Sequence, residues 1–197
     1  MTSWVWIVII IAVLAVVATA AAQTARWRKT NELRREFGPE YDRAVAVFDN
    51  RRAAEANLCA RQERRARLEV RPLSDTARQG FAAEWHGVQE CFVDQPEQAV
   101  TAAGILVARV MVQRGYVSDD QQSRVDLLSV DYPDAIDDYR TAAGIQRQAK
   151  NGQADTEDLR KAIVHYRSLF EALLGGEEPT PSDGGVPGTS STAPGRR

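Results

Sequence analysis

The sequence predicts an all-α protein, in which an N-terminal transmembrane helix is followed by an irregular bundle of about five or six helices and a disordered tail. Three observations carry this prediction: an uncharged apolar run at the start, apolar residues that recur at steps of three and four through the middle, and an end rich in Gly, Pro, Ser and Thr. They divide the chain into an anchor (1–22), a basic juxtamembrane stalk (23–38), a helical domain (39–174) and the tail (175–197).

The apolar run extends from Trp4 to Ala22 and contains no charged side chain. As a helix it would span about 28 Å, close to the hydrocarbon thickness of a bilayer. A cleaved signal peptide is the alternative, since Ala18-Thr19-Ala20 fits a small-residue cleavage site. No Lys or Arg precedes the run, however, and it is longer than the apolar core of such peptides. A permanent single-pass anchor is therefore favoured.

Basic residues follow the run and predict its orientation. Lys and Arg next to a membrane span stay on the cytoplasmic side. We therefore expect the C-terminal domain in the cytoplasm, attached to the cell membrane. The residues that carry this prediction are Arg26, Arg28, Lys29, Arg34 and Arg35.

The formal charge of −2 hides a strong asymmetry. Residues 23–71 carry 13 basic and 8 acidic side chains, whereas residues 72–138 carry 4 basic and 12 acidic ones. Two explanations stay open. The segments neutralise each other on folding, or the basic segment forms a surface held next to anionic lipid.

Helix signals divide the predicted domain into six segments. Gly38-Pro39 ends the helix that continues the anchor and starts the next one. A single long helix is then expected from Glu40 to about Val70. The later segments are predicted to begin near Ser74, Pro96, Ser118, Pro133 and Thr156, with Ser74 and Thr156 as N-caps.

An arginine cluster in the long polar helix is the most suggestive candidate for a binding surface. It would contact anionic headgroups at about 1 kcal/mol per basic residue close to the membrane. Nucleic acid is disfavoured, because aromatic residues do not alternate with the arginines and the chain is acidic overall. The alternative is a solvated helix face paired with the acidic segment. The candidate contact residues are Arg26, Arg28, Lys29, Arg61, Arg64, Arg65, Arg67 and Arg71.

No catalytic, metal or cofactor motif is recognisable. His86 and His165 lack local partners at metal-binding or acid–base spacing. The acidic residues between 119 and 138 lack the glycine and closing glutamate of an EF-hand and are expected as caps and solvated side chains. Cys59 and Cys91 fit no metal motif and are expected as reduced thiols. An enzyme would need a site assembled from distant residues, for example His165, Glu84 and the region of Asp131.

Several stretches together are similar to an uncharacterised family of small bacterial proteins with one N-terminal membrane span. The stretches are Phe37-Gly38-Pro39-Glu40-Tyr41-Asp42-Arg43, Arg71-Pro72-Leu73-Ser74, Trp85 to Asp94, Arg114-Gly115-Tyr116, Ser129-Val130-Asp131-Tyr132-Pro133 and Thr156 to Arg167. The resemblance covers residues 35–174. It implies a helical C-terminal domain and no catalytic residue.

The function that the sequence favours is a membrane-anchored helical interaction or scaffold module with an unidentified protein partner and no catalysis. The alternative is a peripheral domain that contacts anionic lipid, or less readily nucleic acid, through the cluster between Arg61 and Arg71.

Overall fold

The computed structural model describes residues 2–48, 50–118 and 120–175, and within these ranges every regular element is an α-helix. The predicted all-α class is thereby confirmed. The helices are α1 (Thr2–Phe37), α2 (Pro39–Phe48), α3 (Arg51–Ala66), α4 (Asp75–Asp94), α5 (Pro96–Gln113), α6 (Gln121–Asp131), α7 (Pro133–Lys150) and α8 (Thr156–Gly175). The predicted disordered tail lies outside the described residues, apart from Gly175.

The N-terminal helix α1 continues without interruption through the apolar run and the predicted stalk. A search of the described residues finds no helix that is both long and apolar enough to cross a membrane.

The last part of α1 is docked onto the domain. Leu33 and Phe37 are buried, and together with Tyr41 of α2 and Leu58 of α3 they belong to a small apolar cluster. We call this the α1–α3 cluster; its members are Leu33, Phe37, Tyr41, Ala44, Ala54 and Leu58. The residues expected to form a stalk thus contribute two side chains to the core.

The predicted long helix from Glu40 to Val70 is wrong, because the structure divides it into α2 and α3. Asn50 adopts an extended backbone, and its side chain accepts a hydrogen bond from the Arg52 amide at 2.9 Å, which caps α3. Folding back at this point lets Ala44 of α2 join Ala54 of α3 in the α1–α3 cluster. The bundle after α1 therefore has seven described helices, not five or six.

The larger core lies among α4 to α8. α5 is buried along most of its length and packs against both α4 and α8. Trp85 of α4 stacks on Phe170 of α8, with ring centroids 4.6 Å apart. Arg114, directly after α5, is buried and donates to the Leu173 carbonyl at 2.7 Å. Its positive charge lies at the C-terminal end of α8, where the helix dipole favours a cation.

The helix caps agree with the sequence only in part. Ser74 caps α4 as predicted and accepts from the Ala77 amide. For α8 the predicted cap is wrong, since Asp155 and not Thr156 accepts from the Asp158 amide at 2.8 Å. α6 begins at Gln121, three residues later than expected, because the Asp120 side chain caps it.

A tight backbone contact joins the loop after α3 to the end of α5. The Arg71 amide donates to the Arg114 carbonyl at 2.9 Å. The neighbouring Gly115 has φ = +98°, and a Cβ atom there would lie 2.4 Å from the Glu69 carbonyl oxygen. Glycine is required at this position both by its backbone conformation and by the space available.

We predict that Gly115→Ala lowers the free energy of unfolding. The left-handed backbone at a non-glycine residue costs about 1–3 kcal/mol by itself. The contact with Glu69 adds to this loss. The measurement is urea denaturation of the full chain in a mild detergent.

Gly144→Ala is the matched control, because Gly144 lies inside α7 with no atom within 4 Å of the added Cβ. This variant should gain about 0.5–1 kcal/mol through higher helix propensity. Equal urea midpoints for the two variants would contradict the close approach of residue 115 to the Glu69 carbonyl oxygen.

Candidate functional site

Three of the candidate contact residues, Arg26, Arg28 and Lys29, directly follow the apolar run. The Arg26 side chain lies outside those that the structure describes. Arg28 and Lys29 are exposed on α1, directly before Thr30, where the helix docks on the domain. They remain available for contact with an external partner.

The arginine cluster of α3 is divided between the protein interior and the solvent. Arg61 and Arg65, four residues apart on one helix face, point toward α6 and pair with Asp126 and Asp131. The side chains of Arg64, Arg67 and Arg71 are exposed instead. Arg71 pairs with the exposed Glu69, which leaves Arg64 and Arg67 as the cluster's cations without an acidic partner among the described residues.

A buried charge network lies where four helices meet. Glu40 of α2 is 3% exposed and accepts from Arg61 of α3 at 2.7 Å and from Arg140 of α7 at 2.9 Å. Arg61 also reaches α6, where it contacts Asp126 at 3.2 Å and donates to the Ser129 hydroxyl at 3.1 Å. Two carboxylates thus balance two guanidinium groups, so the network as a whole is neutral.

The ion pairs determine the protonation of Glu40. Burial by itself raises the pKa of this carboxyl, but hydrogen bonds and charges from Arg140 and Arg61 outweigh burial, so the pKa lies below its ordinary value. Glu40 is therefore an anion at neutral pH. Glu40 was not among the residues predicted from the sequence. Its position four residues before Ala44, which is buried, places its charge on the apolar face of α2.

A second network connects α3 to the end of α6. Asp131 accepts hydrogen bonds from both Arg65 and the Tyr116 hydroxyl. Burial, followed by the charge of Asp131, raises the pKa of Tyr116 far above its ordinary value, so the hydroxyl keeps its proton and acts as a donor. In both networks an arginine of the basic segment pairs with an aspartate of the acidic segment, Arg61 with Asp126 and Arg65 with Asp131. The two segments therefore neutralise part of each other's charge in the folded chain.

The residues suggested for an assembled catalytic site each have a partner of their own. His165 contacts Asp138 at 2.8 Å, Glu84 pairs with Arg109, and Asp131 pairs with Arg65. Within the described ranges, no group of three or more His, Cys, Asp or Glu side chains is placed to hold a metal ion. Cys59 and Cys91 are free thiols that pack against different apolar clusters.

A cleft of about 530 Å³ opens between α2 and α7, with residues of α3 and α6 completing its walls. This volume lies within the range of small-molecule sites. Its walls combine cations with apolar side chains. The cationic lining is Arg43, Arg61, Arg140, Arg147 and Lys150, and the apolar lining is Ala44, Val47, Phe48, Val125 and Ala143. Glu40 is the acidic lining residue.

Comparison of the chain with protein-family models, with curated proteins and with solved structures finds no match. The resemblance to a family of single-span bacterial proteins therefore stays a prediction, and the function has to be argued from the site itself.

We predict that Glu40→Gln lowers the free energy of unfolding by about 3–5 kcal/mol at pH 7, because it leaves two buried guanidinium groups with too little negative charge. The loss should shrink below the ordinary glutamate pKa of 4.5. A carboxylate with a lowered pKa stabilises the fold above that value, and this stabilisation disappears as the pH falls through the folded-state pKa. Urea denaturation at pH 7 and in acid measures both effects.

Asp137→Asn is the control, since it breaks the exposed pair between Arg43 of α2 and Asp137 of α7. An exposed pair contributes about 0–1 kcal/mol. If Glu40→Gln were as mild as this control, the buried network would not be what joins the four helices.

Proposed function

We propose that this chain is a membrane-attached helical interaction module, in which α1 holds the protein at a bilayer and the bundle from α2 to α8 presents binding surfaces. No catalytic step is part of the proposal. The partner is a protein that recognises the bundle in the orientation that α1 imposes.

One observation carries the proposal. Every residue from Ile11 to Ala21 is exposed in the folded chain, which amounts to three turns of apolar helix with no side packed on the domain. The large side chains of this stretch, such as Val13 and Val16, are 56% to 66% exposed. A helix that is apolar on all sides belongs in a protein core or a membrane, and the described domain does not cover this one.

The residue content of the whole stretch gives further support. Trp4 to Ala22 contains no charged side chain, so none opposes burial of this stretch in the apolar part of a bilayer. Trp4 and Trp27 are exposed on either side of the stretch, and tryptophan favours the headgroup level of a membrane.

The joint between α1 and the bundle fits a scaffold role. The Thr30 hydroxyl donates to Glu55 at 2.8 Å, and Leu33 and Phe37 are buried beyond it. α1 is therefore continuous with a fixed docking site, with no loop between the apolar stretch and the domain. The orientation of α1 in a membrane would set the orientation of the domain.

The anionic-lipid alternative loses part of its basis. Arg61 and Arg65 are occupied by acidic partners inside the fold, and Arg71 pairs with Glu69 at 2.5 Å. Among the described residues of the cluster, Arg64 and Arg67 are left as cations without an acidic partner. At about 1 kcal/mol per basic residue, two free arginines supply roughly 2 kcal/mol where all five would supply roughly 5 kcal/mol, and this favours the interaction module over a peripheral domain that binds through the cluster.

We predict that Leu14→Asp/Val17→Asp releases the full chain from membranes, because two carboxylates at the centre of a span oppose insertion by about 5–7 kcal/mol together. Wild-type chain should float with phosphatidylcholine vesicles in a density gradient and resist extraction at alkaline pH, whereas the double variant should stay at the bottom.

Gln23→Asp/Asn31→Asp is the matched control, since it adds the same two charges to exposed positions of α1 outside the apolar stretch. This variant should float like the wild type. If both double variants floated, the apolar stretch would not be the element of attachment.

The positive flank at Arg28 and Lys29 supports a cytoplasmic domain. With an epitope placed after Gly176, protease added to intact cells should leave the epitope in place, and permeabilisation should expose it to cleavage. Cleavage in intact cells would reverse the proposed orientation.

A further inference from the structure

The cleft between α2 and α7 contains cations that the fold itself does not use. Arg147 and Lys150 lie in the last turns of α7 and line the cleft. Their side chains are exposed and have no acidic partner in the part of the chain that the structure describes. By contrast, Arg43, Arg61 and Arg140 on the same walls are paired with Asp137 and Glu40.

The same cleft has an apolar rim. Val47 and Phe48 end α2 next to this basic wall and are 72% and 38% exposed. Ala44 and Ala143 continue the apolar surface inward. A ligand that satisfies both halves of the cleft has an anionic group and an apolar part.

The contact between α1 and α3 shows where α1 meets the domain. Thr30 is the first described residue of α1 that is buried, and its hydroxyl donates to Glu55, which lies one turn after the start of α3. α1 therefore docks on the domain near the α2–α3 turn, which lies directly before α3.

The apolar rim lies next to the same turn. Val47 and Phe48 are the last residues of α2, directly before the turn that leads to α3. The rim therefore belongs to the part of the domain on which α1 docks.

We propose that the α2–α7 cleft binds an anionic phospholipid of the membrane to which α1 attaches the chain. Arg147 and Lys150 bind the phosphate, and Val47 and Phe48 contact the glycerol and the first part of the acyl chains. This inference rests on the proposed membrane attachment for the source of its ligand, but its chemistry is a property of the cleft alone.

The test uses the full chain in neutral detergent micelles, to which phosphatidylglycerol is added while the thermal midpoint is followed by circular dichroism. A ligand that binds only the folded state should raise the midpoint by about 5–10 °C at a hundredfold excess over its dissociation constant. Phosphatidylcholine at the same concentration should leave the midpoint unchanged.

The deciding variant is Arg147→Ala/Lys150→Ala, which should lose the phosphatidylglycerol shift while the midpoint without lipid stays the same. Arg64→Ala/Arg67→Ala is the matched control, because it removes two exposed arginines at the C-terminal end of α3, outside the cleft, and should keep the whole shift. Equal losses in both variants would show general surface attraction and overturn the cleft site. A shift that survives in both would overturn it as well.

Two further experiments distinguish a membrane lipid from a soluble phosphate, and the cleft site from the attachment by α1. Glycerol phosphate in solution should produce no shift, and a shift as large as that of the lipid would overturn a membrane lipid as the occupant. Flotation with phosphatidylcholine vesicles tests the attachment by α1 independently. A chain that fails to float but keeps the variant-dependent shift in micelles would overturn the proposed attachment and support the cleft.

Discussion

The carboxylate of Glu40 is the contact on which the arrangement of this protein depends. The smaller apolar cluster of α1 to α3 and the larger one of α4 to α8 are separate, although Val130 of α6 packs against the smaller one. Glu40 binds Arg61 from its own side and Arg140 from the other. A buried ion pair of this kind adds little net stability, but its disruption leaves an uncompensated charge and is costly. Packings of the two halves that separate these charges are therefore disfavoured.

The α2–α7 cleft follows from the same constraint. α2 and α7 are joined by long charged side chains, at Arg43 with Asp137 and at Arg140 with Glu40. Long side chains that meet end to end do not fill the space between two helices as interdigitating apolar residues do. The charged contacts between α2 and α7 thus leave a cavity with cationic walls between the helices. Fold specificity and a potential binding site have a common origin here.

The local sequence pattern predicted the larger core, but it did not predict the charged contacts between α2 and α7. The recurrence of apolar residues at steps of three and four predicted helices with one buried face, and Phe81, Trp85 and Val88 of α4 are buried at this spacing. The break at Asn50 was missed because it contains neither glycine nor proline, and because an asparagine cap is recognisable only once the chain has turned back. Domain boundaries, attachment and binding residues remain predictions.

The charged contacts could not be predicted from the sequence, for a different reason. Glu40 is separated from Arg140 by 100 positions, and no periodicity records a pairing over that distance. Segment charge was the one available signal: a basic segment followed by an acidic one allowed pairs such as Arg65 with Asp131, without indicating which arginines would take part. Helical spacing explains the outcome afterwards, since Arg61 and Arg65 share the face that meets α6.

The proposal of a binding module also draws on the state of the charged groups. Catalytic acids and bases need a pKa near the working pH and a free path to the substrate. Glu40 lines the cleft, but its pKa is lowered and its oxygens are occupied by two guanidinium groups, so it is a weak base. The pKa of Tyr116 is raised by burial and by Asp131, so this hydroxyl is a permanent donor inside the fold. Perturbed groups are thus used to hold helices together. The charges left at the cleft, Arg147 and Lys150, would attract an anion, and this agrees with the proposed lipid site.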